Sequence, residues 1–472
     1  MTVPRNLLIS IFSAAALLAL SIAASAQTAP PAQVFQLLAF QRLKLPNGLT
    51  LLLLEKHELP LISVELALRS GSVADPQGKE GLASLTAALL RKGTTTRSSE
   101  QVSSDLDFIG MQYNAQVDQD GTHVSADFLK KDLDPALAVF SDVVLHPTFP
   151  EEEVKKKIAQ QQDGIRAAKD EANRVMQLYF MKFLYGDHPY GRPANGDERS
   201  LATISRDDIS NFYRQQYTPA NAIVAVAGDF DPAAMQSKIS QVFGGWSGKA
   251  PAATALPAPK PVSGKRVLLV DKPDATQTYF MIGNIGINHI NPDRGYIDVV
   301  NTLFGGRFTS LFNTELRIKS GYSYGAFSFF SEMKSPGPFI MYSFTKNATT
   351  EPAIDKSLEV LGRLHKDGFT PDELTSAKKY INGSLPPEYE TTPQLAHTMT
   401  ALELSGITRD QFNQNLVKLQ GTTQADSRRM IDTYFPDQNY AMVLIGKAEE
   451  IQKIAAKYAP NLATKKISDP GF

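Results

Sequence analysis

Landmarks in this sequence occur twice, in the same order and at a nearly constant offset, and that repetition limits the architecture more than any other feature. Asp134-Pro135-Ala136-Leu137 returns as Glu351-Pro352-Ala353-Ile354, 217 residues later. Phe149-x-x-x-Glu153, which opens a charged helical segment, returns as Phe369-x-x-x-Glu373 after 220 residues. Tyr217-x-Pro219, with an apolar strand ending at Gly228, returns as Tyr434-x-Pro436 with Gly446. Three matches in order define a duplication. Between the copies, residues 247–265 read SGKAPAATALPAPKPVSGK. That stretch has no apolar periodicity with which to bury a face, so it reads as a semi-extended linker. The expected domains are therefore residues 27–246 and 266–472.

Each copy reads as α+β. In the first, Thr50–Glu55 and Ile62–Ser70 have the apolar runs of strands, the second bounded by Gly71. Residues 81–92 place Leu82, Leu85, Leu89 and Leu90 at helical spacing. Residues 111–128 alternate as a strand pair turning at Asp118–Gly121, and residues 135–145 and 151–170 are helical. Lys155-Lys156-Lys157 on the latter is expected to be a solvated helix face. The half closes with a strand over Ala222–Ala227. The fold predicted is two α/β sandwiches, each an antiparallel-dominated sheet with helices layered on it.

The first 26 residues are an address rather than part of that fold. Arg5 is the only charge before residue 27, an apolar stretch runs from Leu7 to Ala24, and Ala24-Ser25-Ala26 gives a small-x-small cleavage pattern. A cleaved signal peptide and a periplasmic location follow. An uncleaved anchor is the alternative, since the stretch nearly suffices to span a bilayer. No later run approaches 18 uninterrupted apolar residues, so no stable membrane insertion is expected after cleavage. The chain has 48 Lys+Arg against 49 Asp+Glu, a net charge of −1 that leaves no electrostatic footprint for nucleic acid. It has no cysteine, which excludes disulfides, thiolate metal sites and Cys nucleophiles.

Four stretches together carry a resemblance. They are GSVADPQGKEGLASLTAALLRKGTTTRSSEQ at 71–101, HPYGRP at 188–193, YTPANAIVAVAGDFD at 217–231 and LRIKSGYSY at 316–324. In this order they resemble the pitrilysin (insulinase-like, M16) metallopeptidase family, over nearly the whole chain. The resemblance implies the LuxS- and metallohydrolase-like fold of that family, with its repeated α+β domain. It also implies an inverted zinc motif, His-x-x-Glu-His, on the helix at 81–92. The matching positions are Ser84, Ala87 and Ala88. Two methyl groups and a hydroxyl neither grip zinc nor polarise a water. The third ligand, a Glu about 75 residues further on by the same resemblance, would fall near Asp163-Gly164-Ile165, where no Glu stands.

The seven histidines are His57, His123, His146, His188, His289, His365 and His397, and no two lie within five residues, so no helical His pair of either orientation exists. A metal site assembled from distant parts of the fold is the minor alternative. His188 in HPYG reads as a turn residue packed against Pro189 and Tyr190. No G-x-S-x-G elbow appears, and Gly305-Gly306 lacks the Gly-Lys-Ser/Thr of a phosphate loop. No cofactor is expected in this chain.

The second half reads differently. Residues 301–312 resemble the family's glycine-containing loop, with Gly305 and Gly306 shaping it; a helix through Leu316-Arg317 ends at Gly321 and a strand begins at Tyr322-Ser323-Tyr324. In bacterial two-subunit members one subunit lacks zinc but keeps an Arg and a Tyr seven positions apart, and Arg317 and Tyr324 match that pair. The resemblance implies a zinc-less subunit that binds peptide substrate through them while a zinc-bearing M16 homologue supplies the metal. Guanidinium and phenol are donors suited to a developing oxyanion. The competing expectation is a peptide-binding or scaffold protein with no enzymatic partner.

Overall fold

A computed structural model describes residues 35–252, 256–459 and 461–472. The expected signal segment lies outside the described residues. In the first half, β1 (Gln41–Lys44), β2 (Thr50–Glu55), β3 (Leu61–Leu68), β4 (Gln112–Val117), β5 (Thr122–Leu129) and β6 (Ala222–Gly228) form one sheet, ordered β1-β2-β6-β3-β5-β4. In the second half, β7 (Lys265–Asp271), β8 (Gln277–Ile285), β9 (Ala326–Phe330), β10 (Pro338–Lys346), β11 (Tyr440–Gly446) and β12 (Leu462–Lys466) are ordered β12-β7-β11-β8-β10-β9. The five inner and far-edge strands correspond one to one. The near edges differ: β1 runs antiparallel to β2, whereas β12 runs parallel to β7.

Both sheets are antiparallel apart from the β2–β6, β7–β11 and β7–β12 pairs. The inner strands of these parallel pairs read as continuous apolar runs, because both their faces are covered, whereas the edge strand β12 does not. AIVAVAG in β6 and YAMVLIG in β11 are buried at every position. The edge strand β4 alternates exposed and half-buried residues instead.

In chain order the longer helices are α1 (Leu82–Leu89), α2 (Ser99–Ile109), α3 (Leu133–Leu145), α4 (Glu151–Ala168), α5 (Ala172–Tyr185), α6 (Arg206–Gln216) and α7 (Pro232–Phe243). The second half adds α8 (Arg294–Asn301), α9 (Thr350–Asp367), α10 (Pro371–Glu388), α11 (Thr392–Ser405), α12 (Arg409–Gly421), α13 (Gln424–Tyr434) and α14 (Ala448–Ala455). Capping boxes open each helix of the run α10–α13: Thr370, Thr391, Thr408 and Thr423 accept from the third residue's N–H while Glu373, Gln394, Gln411 and Asp426 reach back. Such reciprocal caps satisfy N–H groups that a helix start leaves unpaired. No described helix is long and apolar enough to cross a membrane.

The duplication does not yield two independent bodies. Residues 36–472 form one compact unit, and its halves exchange a helix. Helix α5, from the first half, lies on β8 and β11 of the second sheet, and α11, from the second half, lies on β2, β3 and β6 of the first. Ala172 and Thr392, which begin these two helices, are 220 residues apart, the offset of the landmarks. The first exchange is apolar: Val175, Met176, Tyr179, Phe180 and Leu184 form one buried cluster with Leu268, Val270, Ala441, Val443 and Ile445. Burying each large side chain of this kind contributes about 1.5–3 kcal/mol. The second mixes Leu395 and Met399 with buried polar groups. Ser63 donates to Thr392 at 2.9 Å, and Glu403 is held by Arg42 and Arg69, each at 2.9 Å.

Two further ties join the halves. The β4–β5 turn presents Asp120, which accepts from the Tyr190 hydroxyl at 2.8 Å and from the Lys334 N–H at 2.8 Å. The C-terminal residues dock on the first half through Lys169, whose ammonium meets Glu198 at 2.6 Å and the Asp469 carbonyl at 2.8 Å. The Gly471 N–H donates to the other Glu198 oxygen at 2.9 Å. Two details differ from the sequence reading. Residues 322–325 form a turn and β9 begins only at Ala326. The end of the 247–265 segment is anchored rather than free, with Val262 buried and bonded through both backbone groups to the Asn284 side chain.

Burial alone would raise the Glu198 carboxyl, but Lys169 and the Gly471 N–H override it and hold its pKa below the usual value. Such a group stabilises the fold above the ordinary glutamate pKa of about 4.3, and its contribution is lost as pH falls through the depressed folded value. Lys169→Ala leaves the half-buried Glu198 carboxylate with only the Gly471 N–H, so urea titration at pH 7 should show a loss of about 1–3 kcal/mol. The difference should shrink as pH falls through the depressed Glu198 value, because the wild type then loses the pair as well.

Candidate functional site

Helix α1 occupies the place where the zinc motif was sought. Gly81, at φ 96°, turns the chain into it, and the Asp75 carboxylate accepts from the N–H groups of Gly81 and Ala83, each at 2.8 Å. Its apolar side joins Leu82, Leu85 and Leu89 to the core with Val64 and Leu66. Of the motif positions, Ala87 is 1% exposed, and Ser84 donates to the Asn195 side chain at 2.7 Å. The α4 residue that reaches this place is Gln161, which donates to the Asn195 carbonyl at 2.7 Å. Of residues 163–165, where the third ligand was expected, Asp163 pairs with Arg166 on the exposed side of α4 at 2.9 Å. An alcohol, two methyls and an amide, drawn together by Asn195, do not fit a zinc ion.

The second-half residues are more open. Helix α8 continues into a wide π-turn over Thr302–Gly306, so Gly305 and Gly306 close a helix rather than sit in a loop. A Cβ on Gly305 would stand 2.2 Å from the Ser328 hydroxyl and 2.5 Å from the Ser328 backbone nitrogen, which only glycine permits. Gly306 is less confined, its nearest neighbour being the Asn301 carbonyl at 3.1 Å. A second helix starts at Leu311 and ends in another π-turn, Thr314–Lys319, which holds Arg317. Turns of this kind are frequent at functional sites.

Gly321, at φ 65°, then reverses the chain, and the N–H groups of Tyr322 and Ser323 return to the Leu316 carbonyl at 3.0 and 3.4 Å. Tyr324 follows at once, so the reversal carries its backbone back beside the turn that holds Arg317. The buried Asn313 fastens the arrangement, donating to the Phe308 carbonyl at 2.6 Å and accepting from the Ala326 N–H at 3.1 Å. Arg317 stacks on the Phe308 ring at 4.7 Å and pairs with no carboxylate among the described residues. The Tyr324 side chain is 74% exposed, and Phe308, Ile318 and Phe327 are exposed on the same segment.

HPYG is structural. His188 Nδ1 accepts from the Tyr190 N–H at 3.1 Å, its Nε2 lies 2.9 Å from the Pro257 carbonyl, and Tyr190 holds Asp120 of the β4–β5 turn. One cluster escaped the sequence reading altogether. Glu65 on β3, His123 on β5 and His397 on α11 converge although they are scattered along the chain. His123 Nδ1 lies 2.8 Å and His397 Nδ1 3.2 Å from Glu65 Oε1, and the Thr400 hydroxyl donates to the same oxygen at 2.6 Å. Burial opposes charge on both Glu65 and His123. The two rings nevertheless hold the Glu65 pKa at about 2, and Asp118 with Glu65 raises that of His123 to about 9. The only sequence signal was polar residues, Ser63, Glu65 and His123, alternating with the core positions of β3 and β5.

The fold has counterparts. The family model described as insulinase (peptidase family M16) matches residues 51–198, and that described as peptidase M16 inactive domain matches residues 203–381. The chain belongs to peptidase family M16. It is 26% identical to the uncharacterized zinc protease YmxG of Bacillus subtilis over 347 residues, 73% of this chain and 83% of that protein. The crystal structure of a peptidase M16 inactive domain from Pseudomonas fluorescens superposes with a TM-score of 0.82 at 25% identity, covering 87% of this chain and 98% of that one. The periplasmic protease PqqL from Escherichia coli shares the fold with a TM-score of 0.73 at 18% identity, over 91% of this chain and 51% of that one.

Two substitution series test this geometry. Restoring the motif with Ser84→His, Ala87→Glu and Ala88→His should bind zinc weakly, because the third ligand is still missing. Adding Gln161→Glu should tighten binding at least tenfold by titration calorimetry, whereas adding Asp163→Glu should not. Separately, Gly305→Ala should cost about 1–3 kcal/mol of stability and Gly306→Ala distinctly less, read from denaturant midpoints.

Proposed function

We propose that this chain is the zinc-less subunit of a two-subunit M16 peptidase, pairing with a zinc-bearing homologue to cleave peptides or unfolded polypeptides. The observation that carries the reading is a contrast within one chain. The metal positions hold an alcohol and two methyls, while Arg317 is left without a carboxylate and Tyr324 projects from a turn pinned on both sides. The pinning comes from Ser323 and Ser343, which donate to the Gly325 carbonyl at 2.7 and 2.9 Å, and from Thr345, which donates to the Tyr322 carbonyl at 2.7 Å.

In the assembled peptidase the partner's zinc supplies a Lewis acid and an activated water. Arg317 and Tyr324 act on the substrate: the guanidinium fork and the phenol donate to the carbonyl oxygen on which negative charge develops. Exposed Phe308, Ile318 and Phe327 give an extended peptide apolar surface to lie on. Gly305 and Gly306 let the π-turn approach β9 closely enough to set this segment in place. The apolar N-terminal segment and the likeness to a periplasmic protease support a periplasmic location.

Peptide hydrolysis should rise sharply only when this chain and the zinc-bearing homologue are mixed. Arg317→Ala with Tyr324→Phe should then lower turnover of the mixture by about 10²–10³-fold, with the homologue's zinc content and the assembly unchanged. A mixture no more active than the homologue alone would overturn the proposal and favour a peptide-binding or scaffold role.

A further inference from the structure

We propose that Glu65, His123 and His397 form a binding site for a divalent transition-metal ion of the zinc class, built where α11 crosses the first sheet. The site is separate from the vacated motif: α1 packs on the face of the sheet that carries Val64, Leu66 and Val124, whereas Glu65 and His123 point from the opposite face. The proposal stands independently of the subunit reading.

The donor set has the required composition and convergence. One atom from each residue lies within 4.8 Å of the others, and Glu65 Oε1 is 2.8 and 3.2 Å from the two imidazole nitrogens. Around tetrahedral zinc, bonds of about 2.0–2.2 Å place ligand atoms roughly 3.3–3.5 Å apart, so the two carboxylate–imidazole separations need to open by about 0.1–0.7 Å. Two imidazoles and one carboxylate suit zinc, iron or nickel, whereas calcium and magnesium prefer oxygen throughout.

The surroundings are those of ligands held in place. His123 Nε2 faces Asp118 Oδ2 at 3.4 Å, an arrangement in which a carboxylate orients the ring so that its other nitrogen meets the metal. Asp118 is itself fixed, accepting from the N–H groups of Asp120 and Gly121, each at 2.7 Å. A Cβ on Gly121 would stand 2.9 Å from His123 Nε2, so glycine leaves the ring its place. Thr400 positions the Glu65 oxygen.

Glu65 and His123 are buried, but His397 is half exposed beside a cavity of about 350 Å³ lined also by Arg69, His289 and Glu332. That leaves one side of the ion open to water or a small anion. Because His397 belongs to the second half and the other ligands to the first, an ion here ties the halves together.

The test uses the full chain, stripped with EDTA and titrated with Zn²⁺. One equivalent should bind and raise the melting temperature, Mg²⁺ should do neither, and Co²⁺ should give a ligand-field absorption band. His397→Ala, a half-exposed position whose change leaves the fold intact by circular dichroism, should weaken Zn²⁺ at least tenfold and abolish the Co²⁺ band. Asp118→Asn should weaken it about 10–100-fold, while Ser84→Ala and His289→Ala should leave affinity unchanged. No stoichiometric binding, or binding unaffected by His397→Ala, would overturn the site and leave the cluster as a hydrogen-bonded ion network.

Discussion

Each sheet of this protein has two faces to cover and only enough helices of its own for one. The exchange of α5 and α11 resolves that constraint, and much else depends on it. A twisted mixed sheet with fully apolar central strands cannot leave either face in water. The second face of each sheet is therefore closed by a helix from the other half, and the two copies become one cooperative body. The β4–β5 turn and the C-terminal residues reinforce a union that the helices already require.

The two crossings are chemically unequal. The one made by α5 is mainly apolar and serves cohesion. The one made by α11 carries Thr392, His397, Thr400 and Glu403 against Ser63, Glu65, His123 and two arginines. Buried polar groups are tolerated only when each finds a partner, and here they find one another. That contact is consequently where the molecule concentrates its buried charge.

The functional segments show a related divergence between copies. In the first half the motif helix keeps its position, its glycine entry and its Asp75 cap, but its metal positions have become core packing and a hydrogen bond to Asn195. In the second half the corresponding effort goes into a rigid pedestal. Two π-turns, a left-handed glycine and the buried Asn313 hold an arginine and a tyrosine that the fold itself does not use. A side chain anchored at its backbone and left without a charged partner among the described residues is available to a ligand.

Most strands and helices of the first half were legible in the sequence, because β2, β3 and β6 carry uninterrupted apolar runs and residues 111–128 alternate around an Asp–Gly turn. The duplication and the degenerate motif were legible for the same reason, since repeated landmarks and fixed helical spacing are local patterns. Gln161 meets Asn195 beside the vacated motif because the rotation of α4 is set by its packing, which spacing counts do not capture. The crossing helices were invisible, as nothing within α5 or α11 says which sheet it will cover. The gathering of Glu65, His123 and His397 was hidden likewise, since it needs both strand register and a helix contributed from 332 residues beyond Glu65. The sequence by itself determined the repeated α+β unit, because its landmarks are written in neighbouring residues, while the degenerate motif and the Arg–Tyr pair were read from its resemblance to the family. Only the tertiary structure decided how the halves interlock and which distant polar groups meet, because those follow from burying two sheet faces at once.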